Sequence, residues 1–142
     1  MSLAAALAAI HAEAFDAPWD ATAFADLLAQ DGVFAEREAD GFILIRAVAD
    51  EAEILTLAVR PVARRQGLGA RLTRRAGNRA RAIGAQRLFL EVAIDNLAAV
   101  ALYDTLGFKP VGNRPRYYAR PEGPAVDALI LALNLTEPLP TA

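Results

Sequence analysis

The sequence predicts a mixed α/β domain: a largely antiparallel sheet with one central parallel pair of strands, flanked by helices. Three observations carry that reading. The chain has 142 residues, 55% of them hydrophobic, which suits one packed domain. Its periodic segments follow in the order helix, helix, three strands, helix, strand, helix, two strands. The strand–helix–strand run across 53–93 calls for a parallel pair joined by a right-handed crossover, whereas short turns join the other strands.

Each element has its own signal. Leu3, Leu7, Ile10 and Ala14 recur at helical spacing over 3–15. Asp20 is placed to cap a second helix, with Trp19 packing on Phe24 as a hydrophobic staple. The segments GVFAERE, GFILIRAVA and AEILTLAVR read as three strands of an antiparallel meander, separated by EADG and ADEA. From Gly67 to Ile83 a stripe of Leu68, Leu72, Ala76, Ala80 and Ile83 faces a core, and Gly84 ends the helix. QRLFLEVAI is an apolar strand. Asn96 opens a short helix that Gly107 stops, and FKPVGNRPRYYA and AVDALILALNL close the chain as two strands around the turn RPEGP. Residues 1–135 read as a single domain and 136–142 as a loose C-terminal tail.

Composition narrows the chemistry. There are no cysteines, which excludes disulfides, thiolate metal sites and a cysteine nucleophile, and no metal is expected. No apolar run is long enough to span a bilayer. The alanine-rich start lacks a basic leader and carries Glu13 and Asp16, so a cytoplasmic setting without membrane contact is the expectation. Charge is segregated. Ten carboxylates from Asp16 to Glu53 face only Arg37 and Arg46, whereas Pro61–Leu90 holds eight arginines and no carboxylate. One half is suited to an anion and the other to a cation; the alternative is that both are solvated faces. A sequence pI of about 5.4 and the lack of a reading motif argue against direct nucleic-acid binding.

The stretch VRPVARRQGLGARLTRRA, residues 59–76, sets two glycines among arginines where a strand gives way to a helix. The first N–H groups of a helix lack intrahelical partners and carry the positive end of its dipole. Gly67 and Gly69 allow a ligand close to that backbone, which suits a phosphate or diphosphate. It is neither a Walker A loop nor a three-glycine dinucleotide loop, and a glycine pair alone also fits a simple tight turn.

RRQGLG after ILTLAVRP, followed by LFLEV and DNLAAVALYDTLGF, resembles the GNAT superfamily of acetyl-coenzyme A-dependent N-acetyltransferases. With RYY and DALILALNL added, it looks like the bacterial ribosomal-protein alanine N-acetyltransferases, over roughly Glu53–Leu135. The resemblance implies the GNAT fold, with its first strand missing here and helix beginning at Ser2. It implies that Arg64, Arg65, Gln66, Gly67, Leu68, Gly69 and Ala70 cradle the diphosphate of acetyl-coenzyme A. The pantetheine arm would lie in a splay between strands 53–59 and 86–93, against the backbone of Leu57, Ala58 and Val59.

The same resemblance assigns catalytic roles. Glu91 interrupts an apolar strand; a carboxylate there loses hydration and becomes a better proton acceptor. In the family this glutamate is a general base acting through water. The alternatives are an exposed edge position or a partner for an arginine. Tyr103 would protonate the departing thiolate, where position matters more than acidity; otherwise it is a core aromatic. Asn96 caps the last helix and, by resemblance, also contacts the cofactor near the thioester. Arg64 and Arg65 are better placed for phosphates than Arg71, Arg74 and Arg75, and Arg79 and Arg81 read as a solvated face. Tyr117 and Tyr118 would line the acceptor groove or pair across strands. His11 reads as structural or exposed.

For the acceptor, the acidic first third suits a basic partner, and an α-amine of pKa about 8 is easier to deprotonate than a lysine of about 10.4. A peptide or protein N-terminus, such as that of a basic ribosomal protein, is therefore the leading expectation. A small-molecule amine, a protein lysine or a non-catalytic acyl-coenzyme A-binding domain are the alternatives.

Overall fold

The structure, a computed structural model, describes residues 1–139. Two helices come first, α1 (Leu3–Ala14) and α2 (Ala21–Leu28), and no strand precedes them among the described residues. Ser2 accepts the N–H of Ala5 at 3.1 Å, and Asp20 accepts that of Ala23 at 2.8 Å, so each helix starts on a side-chain cap. Trp19 and Phe24 lie 5.6 Å apart by ring centroid, one residue before the cap and four after it, the staple the sequence predicts.

The meander follows as β1 (Val33–Glu38), β2 (Gly41–Val48) and β3 (Glu51–Val59). A short turn of 3-10 helix, Pro61–Ala63, leads to α3 (Leu68–Ala82) and β4 (Arg87–Ala93). Then come α4 (Leu97–Thr105), β5 (Lys109–Tyr118) and β6 (Val126–Asn134). The sheet order is β1-β2-β3-β4-β6-β5. Only β3 and β4 run parallel, with α3 as their crossover. β6 is thereby inserted between β4 and β5.

The sheet is covered on both faces. On one, Leu7, Ile10 and Phe24 pack against Phe42, Leu44 and Ala58. On the other, Leu68, Leu72 and Ala76 of α3 pack against Ile43, Ile45, Ile54, Leu88 and Leu90. That two-sided burial explains the unbroken run FILI in β2: alternate residues serve alternate cores.

Two expectations need correction. Ile83 does not extend the core stripe of α3; it is the C-cap residue, with φ −95° and ψ 8°, and is 57% exposed. The tail is not loose as far as Leu139, which is buried. The backbone of Leu139 is held by Asn78, whose Oδ1 accepts its N–H at 2.8 Å. The rest of that tail, 140–142, lies outside the described residues.

Candidate active site

The site begins where the parallel pair comes apart. β3 and β4 pair at Glu51/Arg87, Ala52/Leu88 and Glu53/Phe89, and no further. β3 stays paired with β2 up to Val59. The cause lies on that side: Leu44 faces Thr56 while Ile45 faces Ile54, so Leu55 is an extra residue that bends β3 immediately past its last contact with β4. The backbone of Leu57, Ala58 and Val59 is left without a strand partner toward β4. This is the splay the family resemblance implies, beside a bulge that the sequence does not announce.

The N-terminus of α3 stands at its mouth. Gly67 has φ +76°, left-handed backbone that favours glycine, and it caps α3 without any side-chain hydrogen bond. The three other α-helices are capped by Ser2, Asp20 and Asn96. Only α3 presents its first-turn amides, those of Leu68, Gly69 and Ala70, with no side chain to accept them. A Cβ on Gly67 would meet no heavy atom within 4 Å, so that residue faces open space. A Cβ on Gly69 would stand 3.3 Å from Leu102 and 3.7 Å from Leu57, which places the loop, α4 and β3 in contact at one point.

Tyr103 follows Leu102 on α4 and is 6% exposed, its ring edge-on to Phe108 at 5.3 Å. It belongs to the core on the α3 face. Among the described residues its hydroxyl makes no hydrogen bond, yet it is not a sealed, unsatisfied polar atom, so it opens onto the solvent side of the core. Burial pushes the phenol well above its usual range. Asn96 caps α4, its Oδ1 accepting the N–H of Ala99 at 3.3 Å.

Glu91 lies on the opposite face. Along β4 the residues Leu88, Leu90 and Val92 point into the α3-side core, which puts Phe89 and Glu91 on the side of α1 and α2. There Glu91 lines a cavity of about 360 Å³ together with Glu53, Phe89, Arg114 and Ile130. Of the alternatives open for Glu91, pairing with an arginine is the one found: Arg114 Nε stands 2.7 Å from Glu91 Oε1. Tyr118 is half-buried, and burial together with the charge of Glu91 pushes its phenol up. Tyr117 is 52% exposed, packs edge-on to Tyr118 at 5.0 Å, and lies under the Arg114 guanidinium at 5.5 Å. The two tyrosines thus pack on each other beside Glu91 rather than across strands.

A model of the acetyltransferase (GNAT) family matches residues 4–108. The chain belongs to the GNAT acetyltransferase family. It is 36% identical over 140 residues to the ribosomal protein bS18-alanine N-acetyltransferase of Escherichia coli strain K12, with 91% of this chain and 90% of that one covered. The crystal structure of the ribosomal-protein-S18-alanine N-acetyltransferase from Escherichia coli superposes with a TM-score of 0.85 at 32% identity, covering 94% of this chain and 88% of that one. Arabidopsis thaliana NAA60, solved in complex with acetyl-CoA, shares the fold at a TM-score of 0.78 and 18% identity, with 92% of each chain covered.

The arginines of this GNAT acetyltransferase are distributed differently from the sequence reading. Arg64 is exposed and is tied to the backbone, donating to the carbonyls of Val59 at 3.2 Å and Ala14 at 3.4 Å. Arg71 and Arg75 meet Glu38, and Arg79 meets Glu36 at 3.0 Å while its guanidinium covers Phe34. The Arg71 contact holds the Glu38 carboxyl below its usual range. Glu36 and Glu38 of the acidic segment thus meet Arg71, Arg75 and Arg79 of the basic one, between β1 and α3. Arg65, with φ +64° at the turn into α3, makes no ion pair or side-chain hydrogen bond among the described residues and remains the loop cation available to an anion. Gln66 bonds within the turn, to the carbonyl of Val62 at 3.5 Å. His11 is buried and structural. Sequence reasoning did not single out Arg114 or Asp127; the only signal for either was a charged residue within the last two strands.

Proposed function

We propose that this acetyltransferase transfers the acetyl group of acetyl-coenzyme A to the α-amine of a protein N-terminus, such as that of a basic ribosomal protein, in the cytoplasm. One observation supports the reading above the others: β3 parts from β4 beyond Glu53/Phe89 and leaves the backbone of Leu57, Ala58 and Val59 free close to the uncapped start of α3. On this reading Tyr103, on the α3 face, serves the donor and Glu91, on the other face, serves the acceptor.

The residues present fit the cofactor. The free amides of Leu68, Gly69 and Ala70, with Arg65 beside them, suit a diphosphate. The unpaired backbone of Leu57, Ala58 and Val59 offers the peptide-like pantetheine arm the hydrogen bonds that β4 does not make, and Asn96 stands at the neighbouring helix start. Acetyl-coenzyme A supplies the acyl group as an activated thioester.

Glu91 takes the proton of the acceptor amine through a water, which leaves a neutral nitrogen to form the amide bond. Tyr103 gives its hydroxyl proton to the sulfur as the carbon–sulfur bond breaks. A raised phenol remains protonated until charge builds on the sulfur. Tyr117 and Tyr118 flank the amine's approach to Glu91.

The test is acetyl-coenzyme A with three acceptors: a peptide beginning Ala-Arg, the same peptide blocked at its N-terminus but carrying lysine, and a panel of small amines. Mass spectrometry should place the acetyl group on the free α-amine. Turnover of lysine or small amines with the α-amine untouched would overturn the acceptor assignment.

A further inference from the structure

We propose that Arg114 is a positioning residue for acetyl transfer: it fixes the Glu91 carboxylate and keeps the acceptor ammonium from closing directly onto it, so that the proton leaves through the water between them. The inference rests on the reading of Glu91 as the base. The contact itself, Nε to Oε1 at 2.7 Å, joins a side chain that is 55% exposed to one that is 23% exposed. Ion pairs this open add little stability, so stability alone gives small reason for it.

The sheet is nevertheless built to make it. Glu91, Ile130 and Gly112 form one row across β4, β6 and β5, and Ala93, Ala128 and Arg114 form the next. Arg114 reaches Glu91 diagonally, over a strand. Ala128 and Ala93 in its own row are small and Gly112 carries no side chain, so Ile130, on the strand between, is the one large residue beside the contact. β5 is also fastened on both sides of Arg114. Between the Arg114/Ala128 and Tyr118/Val126 pairs, three residues of β5 oppose one of β6. That one is Asp127, which accepts the N–H of Arg116 at 2.9 Å and the side-chain amide of Asn113 at 3.2 Å. Arg116 takes φ +53° to make its bond. The guanidinium of Arg114 then lies over Tyr117. An anchored bulge and an aromatic support together aim one cation at one carboxylate.

The consequence follows from charge. A guanidinium stays protonated at any working pH. An acceptor that arrives as ammonium is held off direct contact with Glu91 by that charge, which leaves room for the water that carries its proton to the carboxylate. Without Arg114 the ammonium would settle on Glu91 as an ion pair, which binds substrate but does not attack. Arg114 thus acts through Glu91, on the state of the acceptor rather than on the thioester.

Steady-state kinetics with acetyl-coenzyme A and an N-terminal peptide test this on Arg114→Gln, Arg114→Lys, Glu91→Gln and the double variant Arg114→Gln/Glu91→Gln. Arg114→Gln should lower kcat about tenfold or more, with the peptide KM unchanged or lower, and Arg114→Lys should restore part of kcat. In the Glu91→Gln background, Arg114→Gln should add no further loss, because the two act as one unit. Wild-type kcat in Arg114→Gln, a rise in KM alone, or a full additional loss in the double variant would each overturn the proposal. Wild-type kcat in Glu91→Gln would instead remove the base assignment beneath it. Should Arg114→Gln fold poorly by thermal denaturation, the comparison of Arg114→Lys with wild type decides: kcat down with KM not raised supports the proposal, and unchanged kinetics refutes it.

Discussion

The Nδ1 atom of His11 accepts the backbone N–H of Trp19 at 3.0 Å, and this fixes the proton on Nε2, which faces Thr56 Oγ1 at 3.2 Å. One neutral imidazole thereby ties α1 to the start of α2 and to β3. It is stacked on Phe15 at 4.2 Å and Trp19 at 5.1 Å, with Phe24 edge-on.

Burial lowers the His11 pKa to about 4, against about 6.5 unfolded. Between those values the unfolded chain binds the proton and the folded one does not, so stability falls as pH drops from about 6.5 toward 4. The loss should reach roughly 1–3 kcal/mol. Denaturant melts at pH 7.5 and 4.5 measure it. His11→Phe, which cannot titrate, should be less stable at pH 7.5 but show a smaller drop between the two pH values. An equal drop in both proteins would assign the acid sensitivity to other groups.

Gly67 offers a second test, because its two duties can be separated. An alanine there meets no neighbour but must hold φ +76°, at about 1–2 kcal/mol. Gly67→Ala should therefore lower the melting temperature by several degrees and, by disturbing the free amides of α3, weaken coenzyme A binding about tenfold in calorimetry. An unchanged affinity would mean that the first turn of α3 is not the anion seat.

What the sequence made legible was local. Asp20, Asn96, Gly67, Gly84 and Gly107 each mark a helix boundary through the backbone within a few residues, and each stands where the pattern placed it. The parallel pair followed from element order, and its splay was implied by the family resemblance. What stayed hidden depends on which strands lie side by side. Arg71, Arg75 and Arg79 find Glu36 and Glu38 only because β1 packs under α3, more than thirty residues away in sequence. The Leu55 bulge is a mismatch between two strands that look regular separately. Glu91 reads as an isolated carboxylate in LFLEV because its partner, Arg114, arrives two strands away, after β6 has inserted between them.

The docking of Leu139 on Gly77 gives a sign reversal to look for. A side chain at Gly77 would collide with the end of Leu139, while Asn78 holds the Leu139 backbone. In the intact chain Gly77→Ala should be neutral or destabilising, since Leu139 must move. In a Leu139→Ala background the same substitution should stabilise by up to about 1 kcal/mol, the ordinary helical preference of alanine over glycine. A double-mutant cycle by thermal denaturation reads the coupling, and additive effects would show that the tail does not pack on α3 in solution.

Tyr103→Phe separates the catalytic from the packing role of that ring. The variant keeps the edge contact with Phe108 and removes no hydrogen bond to a described residue, so the fold has little to lose. Its stability should stay within about 0.5–1 kcal/mol of wild type. If the hydroxyl protonates the departing sulfur, kcat should fall about 10²-fold while coenzyme A affinity holds, because the phenol contributes only once the carbon–sulfur bond begins to break. Better leaving groups sharpen the test: a thioester of an acidic thiophenol needs no proton, and on it Tyr103→Phe should approach wild-type turnover. An equal defect on both thioesters would mean that the hydroxyl orders the cleft without donating, and an unchanged kcat on acetyl-coenzyme A would reduce Tyr103 to a core aromatic.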